Sequence, residues 1–219
     1  MQINQVIFHT SALKELTAFY SLLMELPADT ENENEITIMI GYTELVFKQV
    51  GTADPFYHFA INIPANKIEE AKNWLTNRVE LIWIDQYKSD IADFVNWRAK
   101  SVYFFDPAGN IVELIARFDL DIKTDEPFTS AQFLSISEIG LVMREDEFDK
   151  SVANLLHQYQ LFYFHKQPPL PQFRAIGDDE GLFIVVPENR NWFPTDKPSG
   201  IFPMEIQFEK DGKEYTMNL

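Results

Sequence analysis

The sequence predicts an α+β fold: tandem βαβββ modules forming a curved, barrel-like mixed sheet flanked by helices, with a partial second barrel at the C-terminus. Three observations predict it. Within residues 1–118 a strand, a helix and two or three strands follow one another twice, an internal repeat of about 55 residues visible in element order rather than in identity. The stretch Ser101-Val-Tyr-Phe-Phe-Asp-Pro-Ala-Gly-Asn-Ile-Val-Glu-Leu114 reads as a β-hairpin, with Pro107 presetting φ and Gly109 supplying the positive φ of a tight reversal. A third strand–helix–strand succession follows an acidic stretch, and the chain closes on the first strand or two of a fourth.

Residues 3–10 alternate like a strand, and Ser11 is a plausible N-cap for a helix carrying Leu13, Leu16, Phe19, Tyr20 and Leu23. Pro27 and the polar run 29–35 end that helix. Residues 36–40 and 44–50 read as two strands joined at Gly41-Tyr42. Residues 57–63 restart the pattern. Asn66 with Glu69 makes a capping box for a helix whose stripe is Ile68, Ala71, Leu75 and Val79. Strands are expected at 80–85, 100–105 and 111–117. Residues 119–130, acidic and containing Pro127, read as a linker between a paired-module domain (1–118) and a third module with a truncated fourth (131–219). In that second part, residues 133–143 form a strand and a helix surrounds Phe148, Val152, Leu155, Leu156 and Tyr159. Strands follow at 161–165, 173–176 and 182–186. A Pro-rich stretch, 189–200, leads to a strand at 202–208 and a hairpin over Asp211-Gly212.

Composition excludes several function classes. The 219 residues, 46% apolar and 14% aromatic, can bury a sizeable core. A net charge of −16 without any Lys/Arg cluster argues against nucleic acid and anionic membranes. No apolar run reaches the roughly 18 residues of a membrane helix. The segment Met1-Gln-Ile-Asn-Gln5 lacks the basic region and apolar core of a secretion signal, so a cytoplasmic location is expected. The absence of cysteine excludes disulfides, thiolate metal sites and a cysteine nucleophile.

Chemistry enters through polar residues inside apolar strands. Side chains two apart share a face. Glu113 sits with Ile111 and Ile115, His58 with Ala60 and Asn62, Gln5 with Ile7 and His9, and Glu44 with Val46 and Lys48. A buried carboxylate is costly unless paired or bound to metal. If the two repeats pair into one sheet, Gln5, Glu44, His58 and Glu113 converge, and one imidazole with carboxylate and amide oxygens suits Zn²⁺, Ni²⁺, Mn²⁺ or Fe²⁺. Without an ion, two inward glutamates repel and at least one pKa rises, which would suit a base. Each residue also admits a structural reading: His58 and Gln5 as hydrogen-bonding groups, Glu44 as a solvated residue beside its turn.

At these residues the chain resembles the vicinal oxygen chelate superfamily, which includes glyoxalase I, extradiol dioxygenases, fosfomycin-resistance transferases and bleomycin-binding proteins. The matching pieces are Ile3-Asn-Gln-Val-Ile-Phe8, Ala18-Phe-Tyr20, His58-Phe-Ala-Ile-Asn-Ile63 and, most specifically, Phe105-Asp-Pro-Ala-Gly-Asn-Ile-Val-Glu-Leu114. The resemblance covers residues 1–118 well and the remainder in outline. It implies that Gln5 stands at the first ligand position, His58 at the ligand opening the second repeat and Glu113 at the ligand closing it. Glu44 can be matched with the glutamate closing the first repeat. That set of four resembles glyoxalase I. Extradiol dioxygenases instead use two histidines and one carboxylate, from which Gln5 departs. Glu138 matches Gln5 in the second part, but Met204 stands where His58 would be, so no second metal site is expected there.

The resulting expectation is a glyoxalase-like, metal-dependent lyase or isomerase acting on a small molecule chelated through adjacent oxygens. Glu113 or Glu44 would be the base. Phe94, Trp97, Asn62 and His9 are candidate substrate-binding residues, with residues 89–97 as a water-excluding lid or a short core helix. The alternatives are a metal-free sequestering protein of the bleomycin-resistance type, with an aromatic groove of Phe56, Trp74, Trp83 and Trp97, an extradiol-dioxygenase-like enzyme, or a partner-binding module. Some family members pair repeats across a homodimer. Two repeats in tandem favour a site within one chain.

Overall fold

In the computed structural model, which describes residues 1–51 and 53–219, the chain forms thirteen β-strands and three α-helices among the described residues. The first module comprises β1 (Gln2–Thr10), α1 (Leu13–Ala18), β2 (Ala28–Asp29), β3 (Glu35–Ile40) and β4 (Thr43–Gln49). The second comprises β5 (His58–Ile63), α2 (Ile68–Thr76), β6 (Ile91–Phe94), β7 (Ala99–Phe105) and β8 (Ile111–Arg117). The third has β9 (Ser135–Met143), α3 (Phe148–Gln158), β10 (Arg174–Gly177) and β11 (Leu182–Pro187). A hairpin of β12 (Met204–Lys210) and β13 (Lys213–Asn218) completes the chain.

These strands make two mixed sheets, in the orders β13-β12-β1-β4-β3-β2 and β10-β11-β9-β5-β8-β7-β6. The pairing between modules differs from the expected one. β1 pairs antiparallel with β12, and β5 antiparallel with β9. The first module therefore joins the C-terminal hairpin, and the second joins the third. Both sheets draw strands from either side of residue 118, so 1–118 does not form a paired sheet of its own. Every module exposes the same edge, that of its first strand, and module order does not decide which edges meet.

Burial distinguishes the two sheets. β3, and β1 from Gln5 onward, alternate between half-buried and buried residues, the pattern of a sheet packed on one face. β5, β8 and β11 are buried at every position, and β9 at all but one. The seven-stranded sheet is thus covered on both faces. Its one face joins the main core with Phe8, Leu16, Phe47, Leu75, Leu155 and Phe208. Its other face carries a separate apolar cluster that includes Tyr103, Ile111, Ile184, Val186 and Trp192.

The predicted turn after β7 forms as its residues dictate. Asp106 Oδ1 accepts from the backbone N–H groups of Ala108 and Asn110, both at 3.0 Å, and Gly109 takes φ +76°. Tyr20 Oη donates to Asp106 Oδ2 at 2.9 Å, and Asn110 Oδ1 accepts from Tyr57 N at 2.8 Å, so α1's end, β5 and the β7–β8 turn are tied together. Burial raises the Asp106 pKa to about 6, against the opposing pull of these donors.

Several local expectations are corrected. The first helix starts after Ala12 without a side-chain cap, because Ser11 Oγ donates to Asp54 instead. Asn66 bonds Thr124 rather than capping α2. Residues 80–85 and 161–165 make isolated bridges in place of strands. The apolar segment 89–97 is neither lid nor core helix: it is edge strand β6, paired with β7, followed by a single 3₁₀ turn.

Candidate metal centre

β5 and β8 run parallel, with His58 opposite Ile111 and Ala60 opposite Glu113, which sets the imidazole and carboxylate on one face. His58 Nε2 lies 3.7 Å from Glu113 Oε2. The third donor comes from β9. Between Ala60 and Ile61 the β5–β9 register shifts, so that Ala60 faces Glu138 while Ile61 faces Ile136. The extra residue, Ser137, is a bulge that turns Glu138 onto the face of Ala60 and His58. One ligand atom from each of His58, Glu113 and Glu138 then lies within 4.8 Å of the other two, and all three residues are buried.

The β1–β12 pair carries the same irregularity between Ile3 and Gln5. Gln5 therefore occupies in the six-stranded sheet the place of Glu138 in the seven-stranded one. Gln5 and Glu44 are direct partners across β1 and β4, and Gln5 Nε2 donates to Glu44 Oε2 at 2.6 Å. Gln207 Nε2 donates to Gln5 Oε1 and to Glu205 Oε1, each at 3.0 Å. These amides satisfy Gln5 and Glu44 on a sheet that does not carry His58 or Glu113. The expected four-residue set is thus corrected: Gln5 and Glu44 form one group, His58 and Glu113 another, and Glu138 completes the latter. By register Glu205, not Met204, lies level with His58, and Met204 packs in the main core.

The electrostatics suit an ion. Burial lowers the His58 pKa to about 4, so the ring is neutral, and its Nδ1–H donates to Ile111 O at 3.1 Å. The proton is thereby fixed on Nδ1 and the Nε2 lone pair is left facing the carboxylates, the arrangement of a ligating histidine. Glu113 is pushed up to about 8, first by desolvation and then by the charge of Glu138. Desolvation also raises Glu138, opposed by Arg117. Arg117, fully buried on β8, pairs with Glu138 and meets Asp179 Oδ1 at 3.1 Å and Asn62 Oδ1 at 3.2 Å. Asn62 also accepts from Ser137 Oγ at 2.9 Å, which holds the bulge. Asp179 continues to Lys166 (2.6 Å), and Lys166 to Asp119 (2.9 Å). Ser101 Oγ, on β7 beside the strand that carries Glu113, is buried and, with Tyr103, opposes the rise in the Glu113 pKa. One neutral nitrogen with a free lone pair and two carboxylates fit a divalent cation.

The three donors lie in the lining of a cavity of about 270 Å³. Phe94, Trp97, Phe173, Trp192 and Phe193 supply aromatic walls, and Ile184 an aliphatic one. Trp192 reaches the site because Gly140 has no side chain: a Cβ there would stand 2.5 Å from Trp192 Cη2. Of the expected substrate-binding residues, Phe94 and Trp97 line this cavity, Asn62 holds Arg117, and His9 lies on β1 in the other sheet. The expected groove is corrected too. Trp74 packs on Phe128 and Phe133, and Trp83 is exposed. Glu138 had one sequence cue, its match to Gln5. Arg190 and Trp192 sit in an irregular Pro-rich segment whose pattern carries none.

No family model matches the chain, and no curated protein matches it. Solved structures do. A proposed dioxygenase from Bacillus subtilis subsp. subtilis str. 168 matches over 100% of this chain and 66% of its own, at TM-score 0.57 and 14% identity. Glyoxalase I from Zea mays matches over 90% of this chain and 70% of its own, at TM-score 0.55 and 13% identity. At such identities the likeness is one of fold: the chain has a glyoxalase-like fold. It spans about two thirds of the length of both structures. No helix is long and apolar enough to cross a membrane among the described residues.

Proposed function

We propose that the protein is a divalent-metal-dependent enzyme of lyase or isomerase type, acting on a small molecule with adjacent oxygens. His58, Glu113 and Glu138 would hold the ion, with Zn²⁺, Ni²⁺, Mn²⁺ and Fe²⁺ as candidates. The observation that carries this reading is the convergence of a neutral imidazole Nε2 and two buried carboxylates in a single aromatic cavity. When bound, the ion supplies Lewis acidity toward charge developing on substrate oxygens.

The chain's own groups divide the remaining work. Ile111 O fixes the His58 tautomer. Arg117 anchors Glu138 and opposes the rise that burial imposes on its pKa. Glu113 has no such guanidinium clamp; without an ion its pKa is raised to about 8, and once deprotonated beside the ion it would be the group to take a proton from a substrate carbon and return it. Aromatic walls flank these groups on several sides. The donor set has one imidazole and two carboxylates, so it departs from the two-histidine, one-carboxylate triad of non-haem iron oxygenases and favours proton transfer.

Elemental analysis and calorimetric titration with divalent ions test the reading. One ion per chain is expected, with affinity lowered at least about 100-fold by His58→Ala and unchanged by Gln5→Ala or Glu44→Ala. Absence of stoichiometric binding would leave the second reading, a metal-free sequestering protein. That reading is favoured by the Arg117–Glu138 pair and the neutral Glu113, which balance the site's charge without an ion.

A further inference from the structure

The chain has six arginines, and five of them pair with carboxylates: Arg78, Arg98, Arg117, Arg144 and Arg174. Arg190 makes no ion pair among the described residues, in a chain with 34 acidic against 18 basic residues. Its guanidinium donates once, to Asn191 O at 3.2 Å, and lies over the Phe173 ring at 5.4 Å. It lines the same cavity as His58, Glu113 and Glu138. Desolvation alone shifts its pKa, downward, as befits a cation held partly out of water without a counter-charge. A half-buried guanidinium left with most of its donors free is an unmet demand for an anion. The planar fork of arginine answers best to a carboxylate, and its seat on an aromatic face keeps that fork oriented.

The rest of the cavity describes the remainder of the ligand. Phe94, Trp97, Phe173, Trp192 and Phe193 present ring faces and edges, which favour a flat unsaturated body. A volume of about 270 Å³ falls just under the roughly 300–1,000 Å³ usual for small-molecule pockets, so one ring with a short chain fits and a large conjugate does not.

We propose that this cavity is specific for a monocyclic aromatic carboxylate whose carboxylate is bound by Arg190. The proposal rests on the cavity's being the ligand site, as in the function above, but not on the presence of an ion. It is tested on metal-stripped protein by calorimetric titration with 3-phenylpropionate and with its neutral amide, 3-phenylpropanamide. The acid is expected to bind at least about ten-fold more tightly than the amide. Arg190→Gln should bring the two ligands to within about two-fold while leaving the amide's own affinity in place, which also shows that the variant is folded. Arg190→Lys should keep an intermediate preference. Equal binding of acid and amide, a preference that survives Arg190→Gln, or no saturable binding of either probe would overturn the proposal. If the protein binds no ion yet discriminates acid from amide through Arg190, the enzyme reading fails and this one stands. An ion bound without such discrimination gives the reverse.

Discussion

Glu113 and His58 place opposite demands on pH. Glu113 has a folded pKa raised to about 8 from an ordinary 4.5, so folding favours its protonated form. Its contribution to stability is complete below about 4.5 and is lost as pH rises through 8. His58 has a folded pKa lowered to about 4 from 6.5, so its contribution is complete above 6.5 and is lost as pH falls through 4. Metal-free protein should therefore lose stability between pH 6.5 and 9, and Glu113→Gln, which is neutral at every pH, should flatten that fall. Urea denaturation of both proteins across this range checks it; parallel curves for the two would refute the assignment. A divalent ion should abolish the same fall, because Glu113 then gives up its proton to bind. The sequence singled out Glu113 from its apolar neighbours alone, and His58 from its position on a strand. Glu138 was visible only as a counterpart of Gln5, since neither the bulge at Ser137 nor the partner of β9 leaves a mark in local pattern.

At the scale of elements, β9 does two things that its residues make possible in turn. Ser137 bulges and rotates Glu138 into the cavity, and Gly140 two residues later clears the space for Trp192. Gly140→Ala should displace the indole and destabilise the protein by about 1–3 kcal/mol, since over-packing a filled site costs that much. A changed tryptophan emission together with the lowered urea midpoint would be the signature; an unchanged emission would mean that Trp192 does not pack on this strand. Elements with clean periodicity, such as β1 and α3, were legible in the sequence, and so was β8 from its apolar run after a turn. Residues 80–85 and 161–165 were not, because strand-like composition there meets only single bridging partners. The Pro-rich segment after β11, which brings Arg190 and Trp192 to the cavity, obeys tertiary packing rather than any repeat.

For the whole molecule the decisive fact is the nested pairing, first module with last hairpin and second module with third. The repeat itself was legible from element order, and so was the mixed α+β class. The choice of partners was not, because it depends on which equivalent edges meet in three dimensions. A fragment of residues 1–118 should accordingly lack a stable fold: the β1 and β5 edges would be bare, and Glu138 and Trp192 would be missing. Size-exclusion chromatography and near-ultraviolet circular dichroism should find it aggregated or without fixed aromatic packing; a monomer with native-like aromatic signals would contradict the nested arrangement. The same nesting dictates a schedule during synthesis. The seven-stranded sheet is complete once residue 187 has left the ribosome, whereas β1 waits for β12. At about 5–20 residues per second the roughly 190 intervening residues take about 10–40 s to emerge. Through that interval the nascent β1 presents an unclaimed row of amide and carbonyl groups, and what shields it decides the yield of folded protein.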